Sequence, residues 1–225
     1  MSFGFIATNG NNQTVINDTQ PLYVQKRVGT LNSFGTTNIG VHKFNTSGNA
    51  VVSEQEILML SCSVDNYITF NLLPAGAGND PNFLGEFCSN QSSLPYTVFG
   101  PRTDLANPTG FGMAIYNSLG QCVWDAESTL VRINNAGRIA GSLTTNRNYA
   151  SSAVTGSDAV YCAAGSTILS FSGSSSTHGY YQMSAFRSGA SSWVFRQQRI
   201  TFENSSGLIG DFTFQSDFSY LLGKR

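Results

Sequence analysis

Short apolar stretches with a period of two residues recur along the whole chain, and this alternation constrains the fold more than any other feature of the sequence. Successive side chains of a β-strand point to opposite faces of a sheet, so a period of two indicates strands with one buried face. The clearest stretches are residues 67–72, 96–99, 129–133, 167–171, 193–195, 199–202 and 212–214. Turns rich in Asn and Gly separate them. The pattern predicts an all-β chain folded as an antiparallel β-sandwich with little helix.

One segment leaves two interpretations open. Residues 54–61, Glu-Gln-Glu-Ile-Leu-Met-Leu-Ser, are compatible with a short helix. The apolar run Ile57-Leu58-Met59-Leu60 within this segment fits a strand buried on both faces equally well, because periodicity alone does not separate the two.

The small number of charged residues excludes several classes of function. Charged residues make up 11% of the chain and the formal net charge is −1, so there is no basic field to attract nucleic acid. Uncharged polar residues take their place, with 29 Ser, 19 Thr and 20 Asn beside 23 Gly. Aromatic residues at 12% and apolar residues at 40% still supply enough material for a core.

The sequence gives no indication of a membrane span or a secretory signal. No stretch reaches the roughly 18 apolar residues that a spanning helix needs, so we expect no membrane insertion. Residues 1–7 lack a basic region and a long apolar region, so we expect synthesis in a cytoplasm.

The residue types that carry most catalysis are scarce or badly spaced. The four cysteines, at 62, 88, 122 and 162, form no Cys-x-x-Cys pair, and we expect buried, reduced thiols. The two histidines, His42 and His178, stand at no metal-ligand spacing, and no Gly-x-Ser-x-Gly motif occurs. We therefore expect no enzymatic activity, no cofactor and no metal.

An internal repeat relates a segment at the start of the chain to one near its middle. Residues 3–15 recur as residues 111–123, with Phe, Gly, Asn, Gln and Val at matching positions. Each copy has the pattern of a β-hairpin with an Asn/Gly turn. The copies are either two generic hairpins or a duplicated element of the sandwich. We expect one domain over residues 1–225, with two similar halves, 1–108 and 109–225, as the alternative.

The second copy carries a resemblance to a known family. Residues 110–125, Gly-Phe-Gly-Met-Ala-Ile-Tyr-Asn-Ser-Leu-Gly-Gln-Cys-Val-Trp-Asp, resemble a pattern found in uncharacterised tail proteins of tailed phages. The opening Met1-Ser2-Phe3-Gly4-Phe5 and the strand Val98-Phe99-Gly100-Pro101-Arg102 are similar to two further features of those proteins. Residues 130–225 match no such pattern.

This resemblance implies a virion structural protein of the distal tail or tail tip, made in the host cytoplasm. Its expected partners are other tail proteins, further copies of itself as a homo-oligomer, and a host surface glycan or receptor. A carbohydrate- or receptor-binding module and a capsid decoration protein are the alternative functions.

The candidate receptor or glycan contacts lie in the C-terminal half. Aromatic rings stack on sugar rings, and Arg side chains hydrogen-bond hydroxyls and acidic sugars. The candidate residues are Tyr180, Tyr181, Arg187, Trp193 and Arg196. The alternative for Trp193 is a place in the core, since it alternates with Val194 and Phe195 along one predicted strand.

Overall fold

Antiparallel β-strands form almost all of the regular structure. The computed structural model describes residues 6–8, 14–17, 21–37, 39–46, 50–70, 87–110, 112–141, 154–155, 159–163, 170–172, 178–203 and 216–224. The strands are β1 (Ile6–Thr8), β2 (Thr14–Asn17), β3 (Tyr23–Asn32), β4 (Gly35–Thr36), β5 (His42–Phe44), β6 (Ile57–Leu60), β7 (Tyr67–Phe70), β8 (Phe87–Ser89), β9 (Ser93–Pro101), β10 (Ala114–Tyr116), β11 (Cys122–Asp125), β12 (Arg132–Gly141), β13 (Val154–Thr155), β14 (Ala159–Ala163), β15 (Ser170–Ser172), β16 (His178–Gly189), β17 (Ser192–Glu203) and β18 (Ser216–Lys224). A 3-10 helix at Arg102–Asp104 follows β9. Within these ranges no helix is long and apolar enough to cross a membrane.

The predicted all-β class is confirmed, and most of the predicted strands are present. The stretches at 67–72 and 96–99 correspond to β7 and β9. The stretches at 193–195 and 199–202 were expected as separate strands, but they belong to the single long strand β17. The stretch at 212–214 lies outside the described residues. The expected strand at 129–133 starts later, since β12 begins at Arg132 and Leu130 forms an isolated bridge.

The strands form two large sheets and two separate hairpins. The six-stranded sheet has the order β12-β18-β14-β6-β9-β3. The eight-stranded sheet has the order β13-β17-β16-β7-β8-β5-β4, with β15 paired to β16. Strands from before and after residue 108 therefore share both sheets.

One apolar core draws on both sheets. The six-stranded sheet contributes Leu60 and Leu222, and the eight-stranded sheet contributes Ile68, Trp193 and Phe195, all with no exposed surface. This is the arrangement expected of a β-sandwich, in which the inner faces of two sheets interdigitate. The core cluster includes residues from both sides of residue 108.

Residues 57–60 form a strand and not a helix. Leu58 and Leu60 pack into the core between the sheets, whereas Met59 packs with Phe99 on the other side of β6. A strand with both faces buried carries no polar alternation, which explains why the sequence pattern was ambiguous here.

The two edges of the six-stranded sheet meet. The edge strand β3 pairs through Val24 with Leu130, which lies just before β12 at the opposite edge. The backbone N–H of Gln25 donates to the carbonyl of Thr129 at 2.7 Å, and the N–H of Val131 donates to that of Tyr23 at 3.1 Å. These bonds satisfy backbone groups that an open edge would leave unpaired.

The two predicted hairpins are present and have the same register. In the first hairpin, β1–β2, Ile6 pairs with Asn17 and Thr8 pairs with Thr14. In the second hairpin, β10–β11, the pairs are Ala114 with Asp125 and Tyr116 with Cys122. Residue 3 corresponds to residue 111 in the repeat, and the same offset turns each residue pair of the first hairpin into a residue pair of the second. Both hairpins also have a register shift at equivalent positions. The repeat is therefore one of backbone geometry as well as of sequence.

Three of the four cysteines are described with their side chains, and all three are buried outside any disulfide. They are Cys62, Cys88 and Cys122. The predicted burial is confirmed for these three, their reduced state stays a prediction, and the side chain of Cys162 lies outside the described residues.

Two tyrosines each lie over a glycine on the neighbouring strand. Gly29 pairs with Tyr96, and Gly137 pairs with Tyr220. A Cβ atom on Gly29 would lie 2.6 Å from Tyr96 Oη, and one on Gly137 would lie 2.5 Å from Tyr220 Oη. Each ring therefore occupies the space that a side chain on the glycine would need.

We expect Gly29→Ala and Gly137→Ala to destabilise the fold, because the added methyl group must displace a packed ring. Overpacking of this kind costs about 1–3 kcal/mol. Urea unfolding followed by tryptophan fluorescence measures the loss. Gly35→Ala is the matched control, since its Cβ would meet only Lys43, with Cε nearest at 3.4 Å. Equal midpoints for all three variants would contradict this account of the two rings.

Candidate interaction surface on the second hairpin

Trp193 belongs to the core and is not placed to contact a ligand. Its side chain has 0% exposure and packs in the cluster that joins the two sheets. The prediction of Trp193 as a glycan contact is therefore wrong, and the alternative of a core residue is correct. The alternation of residues 193–195 turns Trp193 and Phe195 to the same buried face.

Arg187 connects two parts of the fold. Its guanidinium donates to Ser61 Oγ and to the carbonyls of Cys62, Gly189 and Ala190. It also lies 5.9 Å from the centre of the Trp193 ring. These bonds use the donors of the guanidinium within the fold, so Arg187 acts as a structural link and not as the predicted receptor contact.

The other three predicted contact residues are described by their backbone alone. In the pairing of β16 with β17, Tyr181 lies opposite Arg199, Tyr180 opposite Thr201, and Arg196 opposite Ser184. Their side chains lie outside the described part of the chain, so their predicted role stays a prediction.

The second hairpin exposes large apolar side chains. Leu119 at the turn is 81% exposed, Met113 before β10 is 54% exposed, and Tyr116 at the end of β10 is 43% exposed. Exposed apolar side chains that cluster on one short element are a mark of a contact surface. Residues 105–124, which include most of this hairpin, contain no charged residue.

The turn of the second hairpin holds Leu119 in a fixed position. Asn117 Oδ1 accepts hydrogen bonds from the backbone N–H groups of Leu119 and Gln121, both at 3.0 Å. Gly120 has a φ of +75°, a conformation that glycine adopts without a steric penalty. The backbone of the turn therefore has little freedom, so the entropy cost of ordering Leu119 in a complex falls mainly on its side chain.

A buried ion pair attaches the second hairpin to the rest of the fold. Arg102 Nε donates to Asp125 Oδ2, and the two side chains are 5% and 6% exposed. Asp125 also accepts from Ser128 Oγ at 2.8 Å and from the N–H of Glu127 at 2.9 Å. Burial opposes ionisation of Asp125, but these bonds outweigh it and lower the pKa of the carboxyl.

A second ion network lies beside this attachment. Lys26 has no partner residue in the pairing of β3 with β9, which marks a β-bulge at this position. At this bulge the consecutive residues Lys26 and Arg27 both contact the carboxylate of Glu56. Arg27 binds Glu56 through two bonds of 2.8 Å, and Lys26 continues to Asp104 at 2.9 Å. The Arg27 guanidinium is the main cause that lowers the pKa of Glu56 to about 2.

A small groove runs between residues 108–112 and β10. Its volume is about 80 Å³, and Pro108, Met113, Ala114 and Tyr116 line it with Glu127. Pockets for metabolites usually measure about 300–1,000 Å³. The groove therefore has room for one side chain of a partner and not for a sugar chain.

The remaining chemistry among the described residues is limited. No group of three or more His, Cys, Asp or Glu side chains in these ranges could hold a metal ion. Ser33 Oγ lies 3.2 Å from His42 Nδ1, which joins two polar side chains near β5. Comparison of the chain with protein-family models, curated proteins and solved structures found no match.

The sequence pattern predicts the second hairpin but not the exposed apolar side chains that it carries. That pattern places Tyr116 in the first strand of the hairpin and Leu119 in its turn, and it indicates no contact role for either residue. The signal that could have revealed them is the comparison of the two copies, because the equivalent positions in the first hairpin are Thr8 and Asn11. The same hairpin register forms with polar residues there, so the apolar pair is not needed for folding.

We expect Arg102→Met to lower the free energy of unfolding by about 3–5 kcal/mol, because it leaves the Asp125 carboxylate buried without its cation. Urea unfolding at pH 7 measures the change. The double variant Arg102→Met/Asp125→Leu is expected to recover part of the loss, since it removes the unpaired charge. A double variant less stable than the single variant would contradict the electrostatic explanation.

We expect Glu56→Gln to lower the free energy of unfolding by about 1–3 kcal/mol at pH 7. The folded-state pKa of Glu56 is about 2 against an ordinary value of 4.5. Its contribution is therefore complete above pH 4.5 and disappears as the pH falls towards 2. Urea unfolding between pH 7 and pH 3 tests this, with Glu54→Gln as the control at an exposed carboxylate. A difference between wild type and Glu56→Gln that stays constant with pH would refute it.

Proposed function

We propose that this protein is a structural subunit of a tailed-phage virion, located in the distal tail or tail tip. Its role is assembly, in which the exposed apolar residues of the second hairpin are buried against other tail proteins. No reaction is part of this role. The observation that carries the proposal is the exposure of Met113, Tyr116 and Leu119 on a hairpin whose one charged residue, Asp125, is buried in an ion pair.

Three further features support this role. The second hairpin is attached through a buried ion pair, so a load on the hairpin is transmitted to the core. The groove beside it accepts a single side chain, as expected of a protein contact. The resemblance to tail proteins rests on three segments, and two of them, residues 98–102 and 110–125, are joined by Arg102 and Asp125.

The alternative of a carbohydrate-binding module has less support. Two of its five predicted contact residues, Arg187 and Trp193, are occupied within the fold. It now depends on Tyr180, Tyr181 and Arg196. Glycan binding by the wild type that Tyr181→Ala abolishes without loss of folding would favour this alternative over assembly.

Gold-labelled antibody against the protein, applied to particles from a lysate of the source and viewed by electron microscopy, tests the location. We expect label at the distal tail. Label on the head would favour a capsid decoration protein instead. Absence of label from every particle would reject a virion role.

We expect Leu119→Ser to reduce incorporation of the protein into particles by on the order of tenfold, because an anchor residue of the interface is lost. Quantitative immunoblotting of purified particles measures incorporation. Val51→Ser is the matched control, since Val51 is 55% exposed but lies away from the hairpin in sequence, before β6. Equal incorporation of both variants would reject the hairpin as the assembly surface, even if the protein is found on the tail.

A further inference from the structure

The correspondence between the two hairpins continues into the strands that follow. The register of β3 skips Lys26, and the register of β12 skips Asn134, which is the position equivalent to Lys26 in the repeat. Gly29 and Gly137 are related by the same offset, and each lies opposite a tyrosine. A shared bulge and a shared glycine–tyrosine pair at one spacing show that β3 and β12 are copies of one strand.

The order of strands in both sheets has the same symmetry. Read from its two edges inwards, the six-stranded sheet has β3, β9 and β6 on one side and β12, β18 and β14 on the other. Inside its edge strand β4, the eight-stranded sheet has β5, β8 and β7 on one side, and it has β13, β17 and β16 on the other. In every case the equivalent strands occur in the same order along the chain. Among the described strands, β4 and β15 have no counterpart.

Equivalent strands meet at the centre of each sheet and are antiparallel. Leu60 of β6 pairs with Val160 of β14, and Ile68 of β7 pairs with Ala185 of β16. Antiparallel contact between two copies of one strand is the relation that a twofold rotation produces. The first half (residues 1–108) and the second half (residues 109–225) are therefore related as the two subunits of a symmetric dimer.

The contact between the halves has the chemistry of a subunit interface. Its centre is apolar and fully buried, as shown by Ile68 and Ala185. Around it lie hydrogen bonds that only the two halves together can form. The Arg187 side chain donates to Ser61 and Cys62, and the Arg187 backbone pairs with Asp65 and Asn66 at 2.8 Å.

We propose that the surface through which one half binds the other is a docking surface for a second copy of the chain. The first half of one copy then binds the second half of another copy. Two chains that exchange halves in this way form a closed dimer with the contacts that the two halves make within one chain. In the segment that joins the halves, residues 106, 107, 109 and 110 are exposed, and Asn107 Oδ1 accepts a hydrogen bond from the Cys122 N–H at 3.3 Å. The proposal does not depend on a location in a phage tail.

The test uses the full chain with a protease site inserted between Thr109 and Gly110. After cleavage, we expect both fragments to stay together as one particle of unchanged mass by light scattering, with an unchanged circular dichroism spectrum. The uncleaved variant is the control for correct folding. Fragments that separate or unfold after cleavage, from an uncleaved variant that is folded, would overturn the proposal.

A second step asks whether the halves of different copies combine. Cleaved protein with an affinity tag on half 2 is mixed with cleaved protein labelled with ¹⁵N, taken to the urea midpoint and returned to buffer. We expect the tag to recover ¹⁵N-labelled half 1 in about the proportion in which the two proteins were mixed. Recovery of unlabelled half 1 alone, or of half 2 without half 1, would overturn the proposal.

A variant at the interface separates this surface from a general tendency to aggregate. Arg187→Ala removes the cross-half hydrogen bonds and is expected to raise the dissociation constant of the cleaved complex on the order of tenfold to a hundredfold. Arg132→Ala is the control, because Arg132 is exposed and pairs with β18 of its own half. Equal dissociation constants for the two variants would contradict the assignment of Arg187 to the docking surface.

Discussion

The apolar core between the two sheets is the constraint on which the other features depend. Trp193, Phe195, Ile68 and Leu222 fill it with no exposed surface, and they come from both sheets. Because these large side chains are closely packed, they fix the distance between the two sheets. Around this core, Arg187 hydrogen-bonds to the loop after β6. Gly29 of β3 and Gly137 of β12 leave space for the rings of Tyr96 and Tyr220.

The second hairpin lies outside the two large sheets and is stabilised by other interactions than this core. It has only two strands, and an isolated two-stranded sheet is marginally stable in water. The Arg102–Asp125 pair and the bonded turn at Asn117 compensate for this, so the hairpin holds a defined shape while its apolar side chains stay exposed. A rigid support with an apolar tip suits a protein that works by contact.

The local parts of the structure could be predicted from the sequence, and the connections between distant parts could not. The alternation at residues 193–195 predicts that Trp193 is buried. The constant offset between the two copies of the repeat predicts that the two hairpins have the same register. The ion pairs of Lys26 with Glu56 and Asp104 join residues that no local pattern relates. Arg187 is of a residue type that often contacts sugars. Its bonds to Ser61 and Cys62, which are distant in the sequence, show instead that it links two parts of the fold.

The environment of the thiols determines how the fold responds to oxidants. Burial raises the pKa of Cys62 and of Cys88 to about 12, despite the opposing effects of Arg187 on the first and Thr69 on the second. The thiolate is the form that attacks disulfides and reacts with oxidants, and these two side chains hardly form it at neutral pH. We therefore expect both buried thiols to react slowly with oxidants and with other thiols.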